Sequence, residues 1–152
     1  MDNSGVRVRG KRFIYTTNIK MTGKGRGTIE STDKHPIELT TPVEFGGIPA
    51  TWTPEELMLA SVNACLMTTF SYYASKKGLD TVSYESFAEG IIELVDIKYR
   101  FSKITLKPKL KIKSADDLDK TKNLLEIARE GCFVSNSLNS EIILDPEIEI
   151  AP

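Results

Sequence analysis

Two sulfur atoms are the first chemistry this chain offers. Among 152 residues there are two cysteines, Cys65 and Cys132, and one histidine, His35. A cysteine thiolate can be a nucleophile, a metal ligand or half of a disulfide, and its pKa and exposure decide which. Two cysteines and one histidine fall short of the four ligands that a structural zinc site usually takes. The pair is therefore either two unrelated core residues or a redox couple. On its own, Cys65 in its apolar stretch reads as a small buried hydrophobe, because free cysteine is among the most buried residue types. Cys132 directly follows Gly131 at a helix end, where a side chain is often reachable.

A couple that consumes peroxide needs further parts. One thiol must be ionised, so a cation or hydrogen-bond donors must lower its pKa. The other must reach the sulfenic acid that forms and close a disulfide before overoxidation. Lys24 and Arg26 are candidate cations, in the glycine-rich stretch TGKGRGTIES. The competing reading for both is a solvated hairpin turn. Glu55 is a candidate carboxylate; its competing role is to favour a helix dipole.

These groups must be positioned by the elements around them. Thr53 is a good N-cap, Pro54 suits the first helical position, and Thr53 with Glu56 fits the S/T-x-x-E capping box. That box leaves Glu55 unused. The helix runs to Lys76-Lys77 and Gly78, where cations and a glycine suit a C-terminus. Leu59, Val62, Leu66, Phe70 and Tyr73 form one apolar stripe. Met58, Ser61, Cys65, Thr68, Thr69 and Tyr72 form a second, mixed face, so the pattern predicts burial on both sides. Glu55 and Cys65 are ten residues apart, about 15 Å along a straight helix. Both can serve one site only if the helix breaks between them or two chains share the site.

Elsewhere the pattern is mostly strand. Val6, Val8, Phe13 and Tyr15 alternate loosely, TGKGRGTIES reads as a hairpin turn into a second strand, and IELTTPVEF as a third. TVSYESFAEGIIEL and IKYRFSKITLKPKLKI predict two long strands turning near Val95-Asp96. Ser114 caps a second helix with Leu118, Thr121, Leu125 and Ala128 inward, and Gly131 ends it. FVSNSLNS can form one helical turn, and EIILDPEIEI predicts a last strand. The order β-β-(β)-α-β-β-α-β with mostly antiparallel neighbours is an α+β fold in one domain over residues 1–152.

Lys+Arg is 20 and Asp+Glu 21, a net charge of −1, which gives no sign of nucleic-acid or anionic-membrane binding. MDNSGVRVRGKRF lacks an apolar signal core. The run Leu57 to Tyr73 is interrupted by polar residues and falls short of the ~18 apolar residues of a membrane span. A cytoplasmic protein is expected.

TPEELMLASVNACL, followed by EGCFVSNSL, resembles the OsmC/Ohr family of osmotically inducible protein C and organic hydroperoxide resistance proteins. The shared pattern is a Pro-Glu helix start, a cysteine ten residues after the glutamate, and a second cysteine after the second helix. It covers roughly residues 20 to 150. Where family members often have proline after the second cysteine, this chain has Phe133. The resemblance implies a thiol peroxidase acting on organic hydroperoxides, an intertwined homodimer with sites at the subunit interface, and recycling by a dithiol or lipoylated protein. No metal or organic cofactor is implied. By matching positions, Cys65 is the peroxidatic cysteine, Cys132 the resolving one, Glu55 the carboxylate that holds a catalytic arginine, and Arg26 that arginine. A non-catalytic dimer binding an apolar small molecule, and a hydrolase pairing Cys65 with His35, are the alternatives.

Overall fold

The computed structural model describes residues 10–152. Val6 and Val8, assigned above to a first strand, lie outside the described residues. The chain divides into two compact units, meeting in sequence at Pro54.

The first unit holds a three-stranded antiparallel sheet in the order β1 (Asn18–Gly23), β2 (Arg26–Glu30), β3 (Ile37–Thr40). The predicted turn is there: Lys24 and Gly25 join β1 to β2, and Gly25 has a φ of 65°, which suits a residue without Cβ. Phe13 and Tyr15 precede β1 and are exposed, so the first strand starts later than their alternation suggested. The third strand stops at Thr40 because Pro42 opens a 3-10 turn over Val43–Phe45. Ile19 and Met21 on β1 are also exposed.

The second unit is built on a hairpin. β4 (Thr81–Val95) and β5 (Lys98–Ile112) are antiparallel over their whole lengths, joined by the two residues Asp96-Ile97, with Asp96 at a φ of 57°. Alternation along β5 sends Ile104, Leu106, Leu110 and Ile112 to one buried face, as a half-buried strand requires. The helix α1 (Pro54–Lys76) lays Val62, Leu66, Phe70 and Ala74 on that face, and α2 (Leu118–Glu130) adds Leu124, Leu125 and Ala128. Each such large side chain contributes about 1.5–3 kcal/mol on burial. Gly90 lets α1 come close, since a Cβ there would stand 2.6 Å from both Leu59 Cδ2 and Phe101 Cε1.

Three expectations change. EIILDPEIEI is two strands, β6 (Glu141–Leu144) and β7 (Glu147–Ile150), both parallel to β5. Asp145 and Ala151 donate to the carbonyls of Leu106 and Ile112, so the even-numbered residues of β5 face this edge. Pro108, which has no N–H to give, faces it too, opposite the break at Asp145-Pro146. Second, Ser114 caps a 3-10 turn (Ala115–Asp117) that leads into α2, its Oγ accepting from the Asp116 N–H at 3.2 Å. Third, α1 is buried on one face of the single chain only: Ala60, Ser61, Ala64, Met67, Thr68 and Ser71 are exposed. The far end of the hairpin also leaves Leu94, Ile97 and Tyr99 exposed. Among the described residues no helix is long and apolar enough to cross a membrane.

Candidate functional site

Cys65 lies at the middle of α1, half-buried beside the apolar stripe. Cys132 is fully buried at the link between α2 and a one-turn helix, α3 (Phe133–Asn136). The link is tightly made. Gly131 N–H closes α2 on the Ile127 carbonyl at 2.9 Å, and the Asn136 side chain returns to the Glu130 carbonyl at 2.8 Å. Cys132 itself is extended, with φ −73° and ψ 110°, and is the N-cap of α3.

The first N–H groups of a helix have no acceptor inside it. In α3 they lie beside the two sulfurs. The N–H groups of Val134 and Phe133 act on Cys65 and lower its pKa. Ser135 directs its N–H to Cys132 Sγ at 3.4 Å and its hydroxyl to the same sulfur at 3.1 Å. The thiol of Cys132 and the hydroxyl of Thr69, one turn along α1, lower the Cys65 pKa as well.

The two thiols are therefore driven apart in acidity. Burial pushes the Cys65 thiol up, but the Cys132 thiol, the Val134 N–H, the Thr69 hydroxyl and the Phe133 N–H outweigh it and hold Cys65 below the ordinary thiol range. Burial pushes Cys132 up, and its hydrogen bond to Cys65 adds to that, while the donors of Ser135 oppose both. A more acidic Cys65 beside a less acidic Cys132 is the arrangement that a nucleophile with a waiting partner requires.

Of the four residues singled out from the sequence, the structure brings together Cys65 and Cys132. Glu55 does not join them within the chain: α1 is unbroken from Pro54 to Lys76, so Glu55 and Cys65 remain about 15 Å apart along its axis. Glu55 Oε2 is nonetheless buried, with no hydrogen-bond partner among the described residues. Arg26 opens β2 in the first unit, is exposed, and pairs across the sheet with Gly23 and Thr40. Lys24 and His35 are exposed in that same unit. A surface groove of about 1350 Å³ follows the C-terminal half of α1 and the start of β4, and neither sulfur lines it.

Sequence reasoning missed Thr69, Ser135 and the backbone donors of Phe133 and Val134. Ser135 had a signal, three residues after the N-cap Cys132, the spacing of an N-cap and its N3 partner. Backbone N–H groups carry no residue-type signature at all.

With this geometry in hand, relationships to known proteins are informative. The OsmC-like protein family model matches residues 46–147. The chain belongs to the OsmC-like family. Peroxiredoxin OsmC of Escherichia coli is 28% identical over 130 residues, 83% of this chain and 88% of that protein. The solved structure of an OsmC-like protein of unknown function from Vibrio cholerae superposes with a TM-score of 0.82 at 21% identity, over 89% of this chain and 99% of that one. An organic hydroperoxide resistance protein OsmC from Legionella pneumophila gives a TM-score of 0.66 at 22% identity, over 91% and 99%. At such identities the structures establish a common OsmC-like fold.

Proposed function

We propose that this protein is a thiol peroxidase for organic hydroperoxides. The observation that carries the reading is the opposite tuning of the two adjacent thiols, Cys65 made more acidic and Cys132 less. Membership of a family that includes a protein named a peroxiredoxin supports it, and the hydroperoxide-resistance neighbour favours an organic substrate.

The steps follow from the sulfur chemistry. The Cys65 thiolate attacks the terminal oxygen of the hydroperoxide. An S–O bond forms, the O–O bond breaks, and the alkoxide takes a proton from solvent and leaves as the alcohol. Cys65 is now a sulfenic acid. Cys132 attacks its sulfur, an S–S bond forms, and the hydroxide departs with the Cys132 proton as water. An external dithiol, free or lipoyl, reduces the disulfide; no metal or bound cofactor is needed.

In this reading two chains build each site, as an intertwined homodimer. The unbroken helix between Glu55 and Cys65 supports this, as do the uncovered apolar residues of β1, the outer face of α1 and the hairpin end. Glu55 orients a guanidinium, assigned to Arg26, against the peroxide. The buried, unpartnered Glu55 Oε2 favours such a donor, because a buried carboxylate oxygen without one is costly. The expected setting is the cytoplasm, where dithiol reductants are kept reduced.

The test is turnover. Purified protein with a dithiol should consume cumene hydroperoxide or tert-butyl hydroperoxide, and Cys65→Ser should abolish this. Undiminished consumption by Cys65→Ser would sink the proposal.

A further inference from the structure

We infer that Ser135 governs the second chemical step, closure of the disulfide, by holding the sulfur of Cys132 in place for attack. The inference rests on the peroxidase reading above and extends it to a residue outside the cysteine couple. Ser135 is 7% exposed and Cys132 is fully buried, so water does not compete for the contact. Two donors of one residue converge on one sulfur: the Ser135 hydroxyl at 3.1 Å and the Ser135 N–H at 3.4 Å.

The consequence is directional. With donors occupying the lone-pair side of Cys132 Sγ, its S–H is left to turn away from Ser135, and Cys65 is the neighbouring thiol it acts on. That is also the direction from which the sulfenic sulfur must be approached. When Cys132 attacks, its proton passes to the departing hydroxide, and sulfur carries developing negative charge. The same two donors then strengthen, since hydrogen bonds to a charged acceptor exceed those to a neutral one. Ser135 donates nothing directly to Cys65, so the first step feels it only through Cys132 and should change much less than the second. The N–H is also fixed by α3, whereas the hydroxyl is a side-chain feature that substitution can remove without disturbing the capping bond.

The experiment separates the two steps. The full chain with both cysteines reduced is mixed with one equivalent of cumene hydroperoxide, acid-quenched at intervals, and weighed by mass spectrometry for sulfenic acid and disulfide. Ser135→Ala should form the sulfenic acid within about twofold of the rate of the unsubstituted protein, because Ser135 reaches Cys65 only through Cys132. It should close the disulfide about tenfold more slowly, the loss of one hydrogen bond to a charged group. With excess peroxide it should accumulate more sulfinic acid at Cys65. Ser135→Thr, which keeps the hydroxyl, should restore closure. A purely structural role would slow both steps together and would not be rescued selectively. Equal closure rates in Ser135→Ala and the unsubstituted protein overturn the inference while leaving the peroxidase reading standing. Failure of the unsubstituted protein to form any sulfenic acid overturns both.

Discussion

Cys132 lies against Cys65 and shifts its acidity: the Cys132 thiol helps to lower the Cys65 pKa, while Cys65 raises that of Cys132. In the proposed reaction Cys132 would thus both activate Cys65 and resolve it, and two substitutions separate these roles. Cys132→Ser keeps a donor of similar reach but cannot form a disulfide. It should still react with one equivalent of peroxide, then stall as a Cys65 sulfenic acid visible by dimedone adduct mass. Cys132→Ala loses the donor as well, so its Cys65 should also react more slowly at neutral pH. Equal first-step rates in the two variants would show that the donor does not matter.

The pH dependence follows from the direction of the Cys65 shift. Only the thiolate reacts, so the rate of Cys65 alkylation by iodoacetamide should rise with pH and level off above the Cys65 pKa. The midpoint should fall below the ordinary thiol value of about 8.5. Cys132, fully buried, should not contribute in the folded protein. Thr69→Val, close in shape but without the hydroxyl, should move the midpoint upward. Stability has linked signs. The Cys65 contribution is full above the unfolded pKa and is lost as pH falls through the lower folded value. The Cys132 contribution is full below the unfolded pKa and is lost as pH rises through the higher folded one.

Phe133 offers a backbone test. It is the first residue of α3, where proline is well tolerated because its missing N–H has no helical acceptor. Cys132, with φ −73° and ψ 110°, already has the extended conformation that a following proline imposes. Phe133→Pro should therefore fold normally while deleting one donor to Cys65. The expected result is an unchanged thermal midpoint with a higher alkylation midpoint. Phe133→Leu, which keeps the N–H, should leave both unchanged.

Packing gives a stability prediction independent of the chemistry. A methyl at Gly90 would press on Leu59 and Phe101 at 2.6 Å, between α1 and the hairpin. Gly90→Ala should cost about 1–3 kcal/mol by overpacking, and Leu66→Ala about 2–5 kcal/mol by leaving a cavity. Urea denaturation would read both as lower midpoints with little change in slope.

The parts legible in the sequence were those written in side-chain type. The span of α1 could be read from Thr53, Pro54 and Gly78, and the hairpin from its alternation and the Asp96 turn. The apolar stripe through Val62, Leu66 and Phe70 likewise required nothing beyond periodicity. What escaped was written in the backbone or in another part of the chain. The break between β6 and β7 depends on a missing N–H at Pro108, one strand away. The acidity of Cys65 depends on the N–H groups of Phe133 and Val134, nearly seventy residues later. The outer face of α1 read as a second buried face because its residues are small and only partly polar, yet Ala60, Ser61, Ala64 and Thr68 are exposed in the single chain.

The rigid spacing on α1 leads to the prediction that tests shared sites most directly. If Glu55 and Cys65 serve the same centre, the unbroken helix requires that they come from different chains. A Glu55→Ala homodimer then has intact cysteines but no carboxylate, and a Cys65→Ser homodimer has the carboxylate but no nucleophile. Each alone should be nearly inactive. In a mixed dimer, one centre combines Cys65 of the first variant with Glu55 of the second and is complete. The other centre carries both defects. Equal amounts, unfolded together and refolded, give half mixed dimers at random, so about one quarter of all centres should be whole. Peroxidase activity near that fraction of the unsubstituted level would place Glu55 and Cys65 in one centre across two chains. Activity that stays at the level of the separate variants would mean that each centre draws both residues from one chain or does not use Glu55.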